Sequence, residues 1–277
     1  MAFNLKIAQK LPAYIIGASL MTGLTIGGIA QYEAGEFLTA EVESKLIGIM
    51  ESRKGALDSY LGMIQQDLRA MSVNTMTRQS LEAFTSTYNE IGTAPKDTLQ
   101  SLYITNNTHP NGEKHKLDRA SDKSAYSELH GKVHPKFRTL LEERGYYDIF
   151  LADTQGNIIY SVFKELDYAT SVLKGEWRDS DLGAVFRHVM ANGSSGSLSF
   201  TDFRPYAPSA DAPASFMASQ VHSEDGKLIG ALIFQMPIGE INAIMQQQAG
   251  LGESGESYIV GEDYLMRSDS RFSEDST

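Results

Sequence analysis

Residues 11–32, LPAYIIGASLMTGLTIGGIAQY, form the one segment of this sequence that is long and apolar enough to cross a lipid bilayer. At a rise of ~1.5 Å per residue, about 20 helical residues match the ~30 Å hydrocarbon core. Lys6 and Lys10 precede the segment, and four acidic residues follow it before the next basic residue, Lys45. Because basic residues favour the cytoplasmic side, we expect residues 1–10 to be a cytoplasmic N-terminus and the chain beyond residue 32 to lie outside.

A cleaved signal peptide is the alternative interpretation of this segment. Small residues near Gly28 and Ala30 could form a cleavage site behind a basic start. The apolar run is longer than a typical signal-peptide core, which favours an uncleaved membrane anchor.

Charge and cysteine content narrow the function classes. The first 32 residues carry two lysines and no acid, so the remaining 245 residues have a formal net charge of -13. That acidity argues against a nucleic-acid partner. The sequence has no cysteine, which excludes disulfides and thiolate metal sites.

Residues 33–91 predict one long helix that serves as a stalk or spine. No proline occurs from Glu36 to Ile91, and an apolar stripe recurs at steps of three and four residues, with Arg53 filling its one gap, at Leu38, Val42, Leu46, Ile49, Leu57, Tyr60, Ile64, Leu68 and Met71. This spacing predicts one continuous buried face. Such a helix would be about 80 Å long. Three glycines lie seven residues apart on this helix, at Gly48, Gly55 and Gly62. Either a neighbouring element packs closely against them, or they only loosen a helix that its apolar stripe already holds.

Residues 92–248 predict one α+β module with an antiparallel sheet. Residues 92–124 are polar and loop-like, and a helix follows to about residue 143, broken or bent at Pro135. Period-2 patterns predict strands at 146–152, 158–164, 197–203, 215–222 and 227–236, with helices at 179–191 and 238–248. Residues 249–277 form a connector and begin a second hairpin-like pattern, so we expect the N-terminal portion of a longer protein.

The sequence motifs give little support for an enzyme or a cofactor. Residues 250–255, GLGESG, match a dinucleotide fingerprint, but the strand and helix that the motif requires are in the wrong order. His130 and His134 have zinc-compatible spacing but lack a third ligand, so we expect solvated histidines. We therefore expect no catalytic residues, no metal and no cofactor.

The order of elements resembles the double-Cache (PAS-like) sensor region of bacterial methyl-accepting chemotaxis proteins. The residues that carry the resemblance are 146–151 (YYDIFL) with the turn 153–156, the hairpin 225–230 (DGKLIG), and 255–260 (GESYIV) followed by 267–272 (RSDSRF). This resemblance implies two PAS-like modules on one long helix, a ligand in the membrane-distal module (92–248), a membrane-proximal module starting in 249–277, a homodimer, and signalling to cytoplasmic proteins. It implies a location in the inner (cell) membrane with the bulk periplasmic or extracellular.

A mixture of aromatic and charged residues predicts where a small polar ligand would bind. The predicted ligand-binding residues are Tyr147, Asp148, Trp177, Arg178, Asp202, Arg204, Tyr206 and Phe216. Relatives that bind amino acids use an Arg-x-Trp-Tyr run and an aspartate near the end of the last strand. Here that strand, 230–236 (GALIFQM), has no aspartate, so another small solute or no direct ligand stays open.

Two further hypotheses remain open at this stage. The same sensor could act on a histidine kinase or a nucleotide cyclase, which would differ only beyond Thr277. An anchored envelope protein that binds a partner protein is the third hypothesis.

Overall fold

The computed structural model describes residues 6–192 and 196–273 of the chain. The chain divides into two units, one comprising residues 1–55 with 248–255 and the other comprising 56–247 with 256–277. Helix α1 spans Ile7–Ser72 and supplies residues to both units.

The first unit contains the apolar segment, and α1 is the one described helix that is long and apolar enough to cross a membrane. Its apolar side chains are exposed. Residues 1–5 of the predicted cytoplasmic N-terminus lie outside the described residues.

The predicted apolar stripe of α1 is buried only toward its C-terminal end. Leu38, Val42 and Leu46 are more than half exposed, whereas Ile64 and Leu68 are fully buried in the core of the second unit. The prediction of a continuous buried face along α1 is therefore wrong within a single chain. Among the described residues, no atom other than the neighbouring residues and backbone of α1 itself lies within 4 Å of a Cβ built on Gly48, Gly55 or Gly62.

The predicted single helix over 33–91 is interrupted after Ser72. A second helix, α2, spans Thr75–Glu90, and the Asn74 side chain accepts a hydrogen bond from the Met76 amide at 2.8 Å. This is an N-cap, because the Asn oxygen satisfies an amide that the first helical turn leaves without a partner. The Asn-Thr pair was the sequence signal for this break.

More helix is present between residues 92 and 145 than the sequence predicted. Helix α3 spans Pro95–Gln100, a π-helical turn follows at Ser101–Thr105, and a 3-10 turn spans Lys114–Lys116. Helix α4, Ala125–Arg144, contains Pro135 and is not broken there. It ends at Gly145, whose φ of 70° is the left-handed conformation that glycine adopts readily.

An antiparallel sheet forms the centre of the second unit and confirms the predicted α+β class. Its strands are β1 Asp148–Asp153, β2 Ile158–Ser161, β3 Leu198–Phe200, β4 Arg204–Tyr206, β5 Ala212–His222 and β6 Leu228–Met236. The order is β2-β1-β6-β5-β3, and β4 pairs with β5. The predicted strand over 197–203 is the shorter β3, β4 was not predicted, and β2 ends at Ser161 rather than 164. Helices α5, Asp181–Asn192, and α6, Ile238–Met245, complete the unit.

Strand alternation divides the core between the two faces of the sheet. Ile149 and Leu151 belong to the cluster that includes α2 and α4, whereas Phe150 and Ala152 belong to the cluster that includes α5. This follows from the period of two residues along a strand. Residues 256–273 contribute a single antiparallel bridge, Val260 to Met266, where a hairpin was predicted. The rest of that prediction, residues 274–277, lies outside the described part of the chain.

Candidate functional site

A cavity of about 460 Å³ opens beside the loop that follows β2. Its lining includes Tyr147, Phe163, Lys164, Glu165, Leu166 and Ser209. Tyr147 immediately precedes β1, and Ser209 ends a 3-10 turn after β4, so sheet-anchored segments hold both sides of the cavity. A volume of this size suits a small molecule.

Asp148 forms the base of the loop that carries Lys164 and Glu165. Its side chain is fully buried, and Oδ1 accepts hydrogen bonds from the amides of Ile149, Val162 and Phe163 at 2.6–2.9 Å. Its Oδ2 accepts one from the Ser161 hydroxyl at 2.8 Å. Burial raises the pKa of Asp148, while these donors favour its charged form. Asp148 therefore has a structural task, which is to fix the turn after β2.

Lys164 is buried beneath the cavity against aromatic rings. Its ammonium nitrogen lies 4.7 Å from the ring centre of Tyr160, 5.1 Å from that of Tyr168 and 5.8 Å from that of Tyr103, and it donates to the Ser161 carbonyl. Cation–π attraction partly replaces the lost hydration. Burial nevertheless lowers the pKa of Lys164, and the nearby Asp148 opposes that shift.

Glu165 lines the cavity and is held by two hydroxyl donors. Tyr147 donates to Oε1 at 2.7 Å, and Ser209 donates to Oε2 at 2.6 Å. Burial raises the pKa of Glu165 to about 7, with Asp148 adding to the shift and the two hydroxyl hydrogen bonds opposing it. The carboxyl therefore gains or loses a proton near neutral pH.

Asp167 and Gln235 each carry a buried oxygen that lacks a hydrogen-bond partner among the described residues. Asp167 accepts from the Tyr206 hydroxyl at Oδ2, at 2.7 Å, while Oδ1 has no donor. The Gln235 amide donates to Ser209 at 3.1 Å, while its Oε1 has none. Burial raises the pKa of Asp167 well above its usual range, and Asp148 and Glu165 raise it further. Unpaired buried acceptors are costly, and these two lie outside the lining of the cavity; Ser209, which is in that lining, connects the Gln235 amide to Glu165.

The two histidines of α4 are buried, so the prediction that they are solvated was wrong. His134 contacts the Tyr160 hydroxyl at 2.8 Å and the His115 carbonyl at 2.6 Å, and the His130 ring stacks on it at 4.4 Å. Burial lowers the pKa of both well below the usual range, and the nearby Lys164 adds to this. The described residues hold no group of three or more potential metal ligands.

A second cavity, of about 550 Å³, lies near residues 263–273. Two basic side chains line it: Arg267 pairs with Asp202 and Asp263, each at 2.8 Å, and Arg204 lies 3.8 Å from Asp181. The lining is otherwise mostly apolar and includes Phe203, Pro213 and Leu265. Since both of its basic side chains already have carboxylate partners, this cavity offers a ligand less unsatisfied polarity than the first.

One of the predicted ligand-binding residues is in the lining of the first cavity, and two others hold residues near it. Tyr147 lines it, and Asp148 and Tyr206 hold the loop and Asp167. Phe216 packs its ring at 4.9 Å from that of Tyr206.

The other predicted residues lie away from the lining of this cavity. The Trp177 indole donates to the Leu166 carbonyl at 3.3 Å, and Arg178 pairs with its neighbour Asp179 in solvent. Arg204 lines the second cavity, and Asp202 pairs with Arg267 there. Their assignment to a ligand stays a prediction.

Sequence reasoning missed Lys164, Glu165 and Asp167. The run KELDY, residues 164–168, has the composition of a solvated loop, and no periodicity marks it as buried. The available signal was its position directly after an apolar strand and before a tyrosine.

Comparison with known proteins gives one relative at the sequence level. No family model matches the chain. The chain is 24% identical over 270 residues to a probable chemoreceptor, y4sI, of Sinorhizobium fredii (strain NBRC 101917 / NGR234). The match covers 97% of this chain and 34% of the relative, so the chain spans about a third of that protein's length. The predicted resemblance to chemoreceptors is confirmed.

Solved structures resemble the chain only distantly. The sensor domain of E. coli DcuS is 11% identical with a TM-score of 0.38, and it covers 70% of this chain and 97% of its own. The ligand-binding domain of the Pseudomonas aeruginosa PAO1 amino-acid chemoreceptor PctC, in complex with GABA, is 16% identical with a TM-score of 0.37, covering 65% and 72%. The sensory domain of Campylobacter jejuni Tlp3 with isoleucine bound is 11% identical with a TM-score of 0.36, covering 78% and 73%.

Proposed function

We propose, from its similarity to a chemoreceptor, that this chain is the extracytoplasmic sensor region of a transmembrane receptor which binds a small solute and signals in chemotaxis. The 460 Å³ cavity above a buried polar cluster is the observation that carries this proposal. Residues 11–32 of α1 span the inner membrane, and the bulk of the chain is periplasmic or extracellular.

The ligand-binding part of the proposal rests on the balance of polar groups around the cavity. Asp167 and Gln235 keep buried oxygens without donors, and Glu165 is held near its titration point. A fold that needs only a stable core has no use for such groups, because each lowers its stability. Of these three residues Glu165 is the one in the lining of the cavity, so a solute there would contact Glu165 directly, and binding and stability would rise together.

The signalling part of the proposal uses α1 and a second copy of the chain. Leu38, Val42 and Leu46 form an exposed apolar stripe that a homodimer partner would cover. A solute in the cavity that favours one arrangement of the pair would bias a two-state output to cytoplasmic signalling proteins. The region requires no catalysis for this task.

A thermal-shift screen of the full chain in detergent micelles tests the proposal. The panel contains organic acids, amino acids, purines, amines and sugars, and the fluorescence of the sole tryptophan, Trp177, reports unfolding. A ligand at 100 times its Kd adds about 2.7 kcal/mol to the unfolding free energy. We expect a rise of several degrees with at least one chemical class.

Two matched variants localise the response. Leu166→Phe enlarges a side chain that lines the first cavity, and Leu265→Phe does the same in the second. The account expects the shift to be lost in the first variant and kept in the second. The absence of any shift across the panel would refute solute sensing by this chain.

A further inference from the structure

We propose that a proton taken up by Glu165 reverses the hydrogen bonds that run from Glu165 through Ser209 to Gln235, and that the protein thereby senses the pH outside the membrane. The stimulus is the proton itself, which goes beyond the proposed function because no bound solute is needed. Glu165 and Ser209 are both in the lining of the first cavity, so protons from the surroundings reach them.

Four residues form a closed ring of hydrogen bonds beside this cavity. Glu165 accepts from Tyr147 at 2.7 Å and from Ser209 at 2.6 Å, and Ser209 accepts from the Gln235 amide group at 3.1 Å. The backbone amide of Tyr147 donates to the backbone carbonyl of Gln235 at 3.0 Å, which closes the ring. The ring therefore joins the start of β1, the turn after β4 and the strand β6 to the loop that carries Glu165.

The directions of these hydrogen bonds match an ionised Glu165. A carboxylate only accepts, so Ser209 gives its one hydroxyl hydrogen to Oε2 and uses a lone pair for the Gln235 amide group. The Oε1 of Gln235 is buried and has no donor among the described residues. The ionised state thus leaves one acceptor unused at the inner end of the ring.

A proton on Oε2 of Glu165 is incompatible with this arrangement. Two hydroxyl hydrogens would meet between oxygens that lie 2.6 Å apart, so the Ser209 hydroxyl must turn away and accept from the carboxyl. Rotation of the Gln235 amide group about its last side-chain bond exchanges the positions of its NH2 and its Oε1. The Oε1 then accepts from Ser209, and both hydrogen bonds of the Glu165–Ser209–Gln235 chain run in the opposite direction.

Tyr147 offers the proton a second position, on Oε1 of Glu165. A phenol oxygen is the weaker acceptor, because its lone pair is partly shared with the ring, whereas the Ser209 hydroxyl has two lone pairs of its own. Ser209 also has an unused acceptor, the Oε1 of Gln235, to take the hydrogen that it must redirect. These two properties favour the Ser209 route.

The pKa of Glu165 places the reversal near neutral pH. Burial raises this pKa to about 7 against the effect of the two hydroxyl donors, and Asp148 adds to the rise. The carboxyl is therefore mostly protonated at pH 6 and mostly ionised at pH 8, and its ionised fraction rises about tenfold between these values.

Other titratable and charged groups face Glu165 from the elements around it. They are Tyr147 and Asp148 of the β1 segment, Lys164 and Asp167 of its own loop, Tyr206 of β4 and Lys114 across the cavity, with His115, His130 and His134 behind this layer. Burial raises the pKa of Asp148 and of Asp167, and it lowers the pKa of Lys164 and of the three histidines.

Asp148 and Lys164 are the closest competitors of Glu165 for a proton. Neither has a described hydrogen bond to Ser209 or to the Gln235 side chain, since Asp148 accepts from residues 149 and 161–163 and Lys164 donates to Ser161. A response of Gln235 that requires the Glu165 carboxyl is therefore separable from both.

The reversal connects the cavity to the end of β6. Gln235 is buried and lies three residues before Ile238, where α6 begins. Its backbone also pairs with β1 and β5, so it lies at the centre of the sheet. A proton bound at the cavity thus changes hydrogen bonding in the strand that leads directly into α6.

NMR spectroscopy of the full chain in micelles tests this switch. The sample carries ¹³C at the glutamate side-chain carboxyl and ¹⁵N in the glutamine side-chain amide, and spectra are recorded from pH 6 to pH 8. The variants are Glu165→Gln, Ser209→Ala and, as a control in the exposed turn between β5 and β6, Glu224→Gln. Gln235→Met identifies the Gln235 amide signal, and the unfolding temperature of each variant shows whether it is folded.

We expect the Glu165 carboxyl signal to titrate with a midpoint near pH 7 and the Gln235 amide signal to move with the same midpoint. In Glu165→Gln the introduced amide donates as the protonated carboxyl does, so the Gln235 signal should stay at its wild-type pH 6 position throughout. Ser209→Ala should raise the Glu165 midpoint, because a donor to the ionised form is lost, and the Gln235 signal should stop moving. Glu224→Gln should behave as wild type.

Two results would overturn the proposal. A Gln235 signal that stays fixed while Glu165 titrates shows that the proton pairs elsewhere, as with Tyr147, and that no reversal occurs. A Gln235 signal that still titrates in Glu165→Gln assigns the response to another group, such as Asp148 or Lys164. The thermal-shift screen is independent of both results: a positive screen leaves solute sensing standing when the switch fails, and a negative screen leaves the switch standing when solute sensing fails.

Discussion

Replacing Asp148 with alanine should destabilise the second unit severely, because one carboxylate satisfies four donors in a buried turn. Three of the donors are backbone amides, at Ile149, Val162 and Phe163, and of these the Val162 amide also donates to the Ile149 carbonyl at 3.1 Å. Leaving a buried donor without an acceptor costs about 1–3 kcal/mol. Allowing for partial solvation of the Phe163 amide, we expect a loss of about 4 kcal/mol, a large part of the 5–15 kcal/mol that stabilises a typical domain.

Asp148→Asn separates the loss of acceptors from the loss of charge. The amide oxygen can still accept from the three backbone N–H groups, so we expect a loss of about 1–2 kcal/mol from the missing charge assistance. Urea unfolding of the full chain, followed by Trp177 fluorescence, measures both variants, and Asp58→Ala on the exposed face of α1 is the control. If the unfolding free energy of Asp148→Ala lies within about 0.5 kcal/mol of the wild-type value, as for an ordinary surface substitution, the carboxylate does not hold this turn.

Three other substitutions have predictable effects on stability. The pKa of Glu165 is raised from its usual 4.5 to about 7, so the stability that its protonated carboxyl contributes is fully present below pH 4.5 and is lost as the pH rises to about 7. Between pH 4.5 and pH 8, the unfolding free energy of Glu165→Gln should therefore rise by about 2 kcal/mol relative to wild type, as measured by urea unfolding. Tyr206→Phe removes the one described hydrogen-bond donor to the Asp167 side chain and should cost about 1–3 kcal/mol, measured in the same way. Gly62→Ala, on an open helix face, should stabilise α1 by about 0.5–1 kcal/mol, and a loss would reveal a close neighbour such as a dimer partner.

The sheet was largely predictable from the sequence because strands that are buried on both faces appear as apolar runs between turn residues. Tyr147 to Ala152 and Leu228 to Met236 are apolar runs bounded by turn residues, and the turns at Gly156 and Gly226 lie where the sequence placed them, each with a positive φ. The predicted positions of the strand ends were less accurate than the positions of the strands. Besides one backbone hydrogen bond from Val162 to Ile149, the loop after Ser161 is held by the Asp148 side chain, and no local sequence pattern reveals that contact.

The candidate site was only partly predictable because its polar residues are buried by tertiary contacts. His130 and His134 were expected in solvent, yet they continue a stripe with Tyr126, Phe137 and Leu141 at steps of three and four residues. That stripe was a readable signal of burial. Nothing comparable marks Glu165, since its burial depends on the cavity wall formed by Tyr147 and Ser209, which are distant in sequence.

The apolar stripe on α1 shows the opposite error, in which residues predicted to be buried are exposed. Spacing predicted a buried face for Leu38, Val42 and Leu46, and in one chain these side chains are exposed. Periodicity reports that a face is apolar, and it does not say whether the same chain covers it.

Protection of a single introduced thiol tests the central claim that the solute binds beside Glu165. The chain has no cysteine, so Leu166→Cys and Leu265→Cys each place one thiol, at side chains that are 52% and 63% exposed, in the first and second cavity respectively. The measurement is the rate of thiol alkylation in the full chain, with and without a compound that raises the unfolding temperature. The account predicts several-fold slower alkylation at residue 166 and an unchanged rate at residue 265. Protection at residue 265 alone would contradict it.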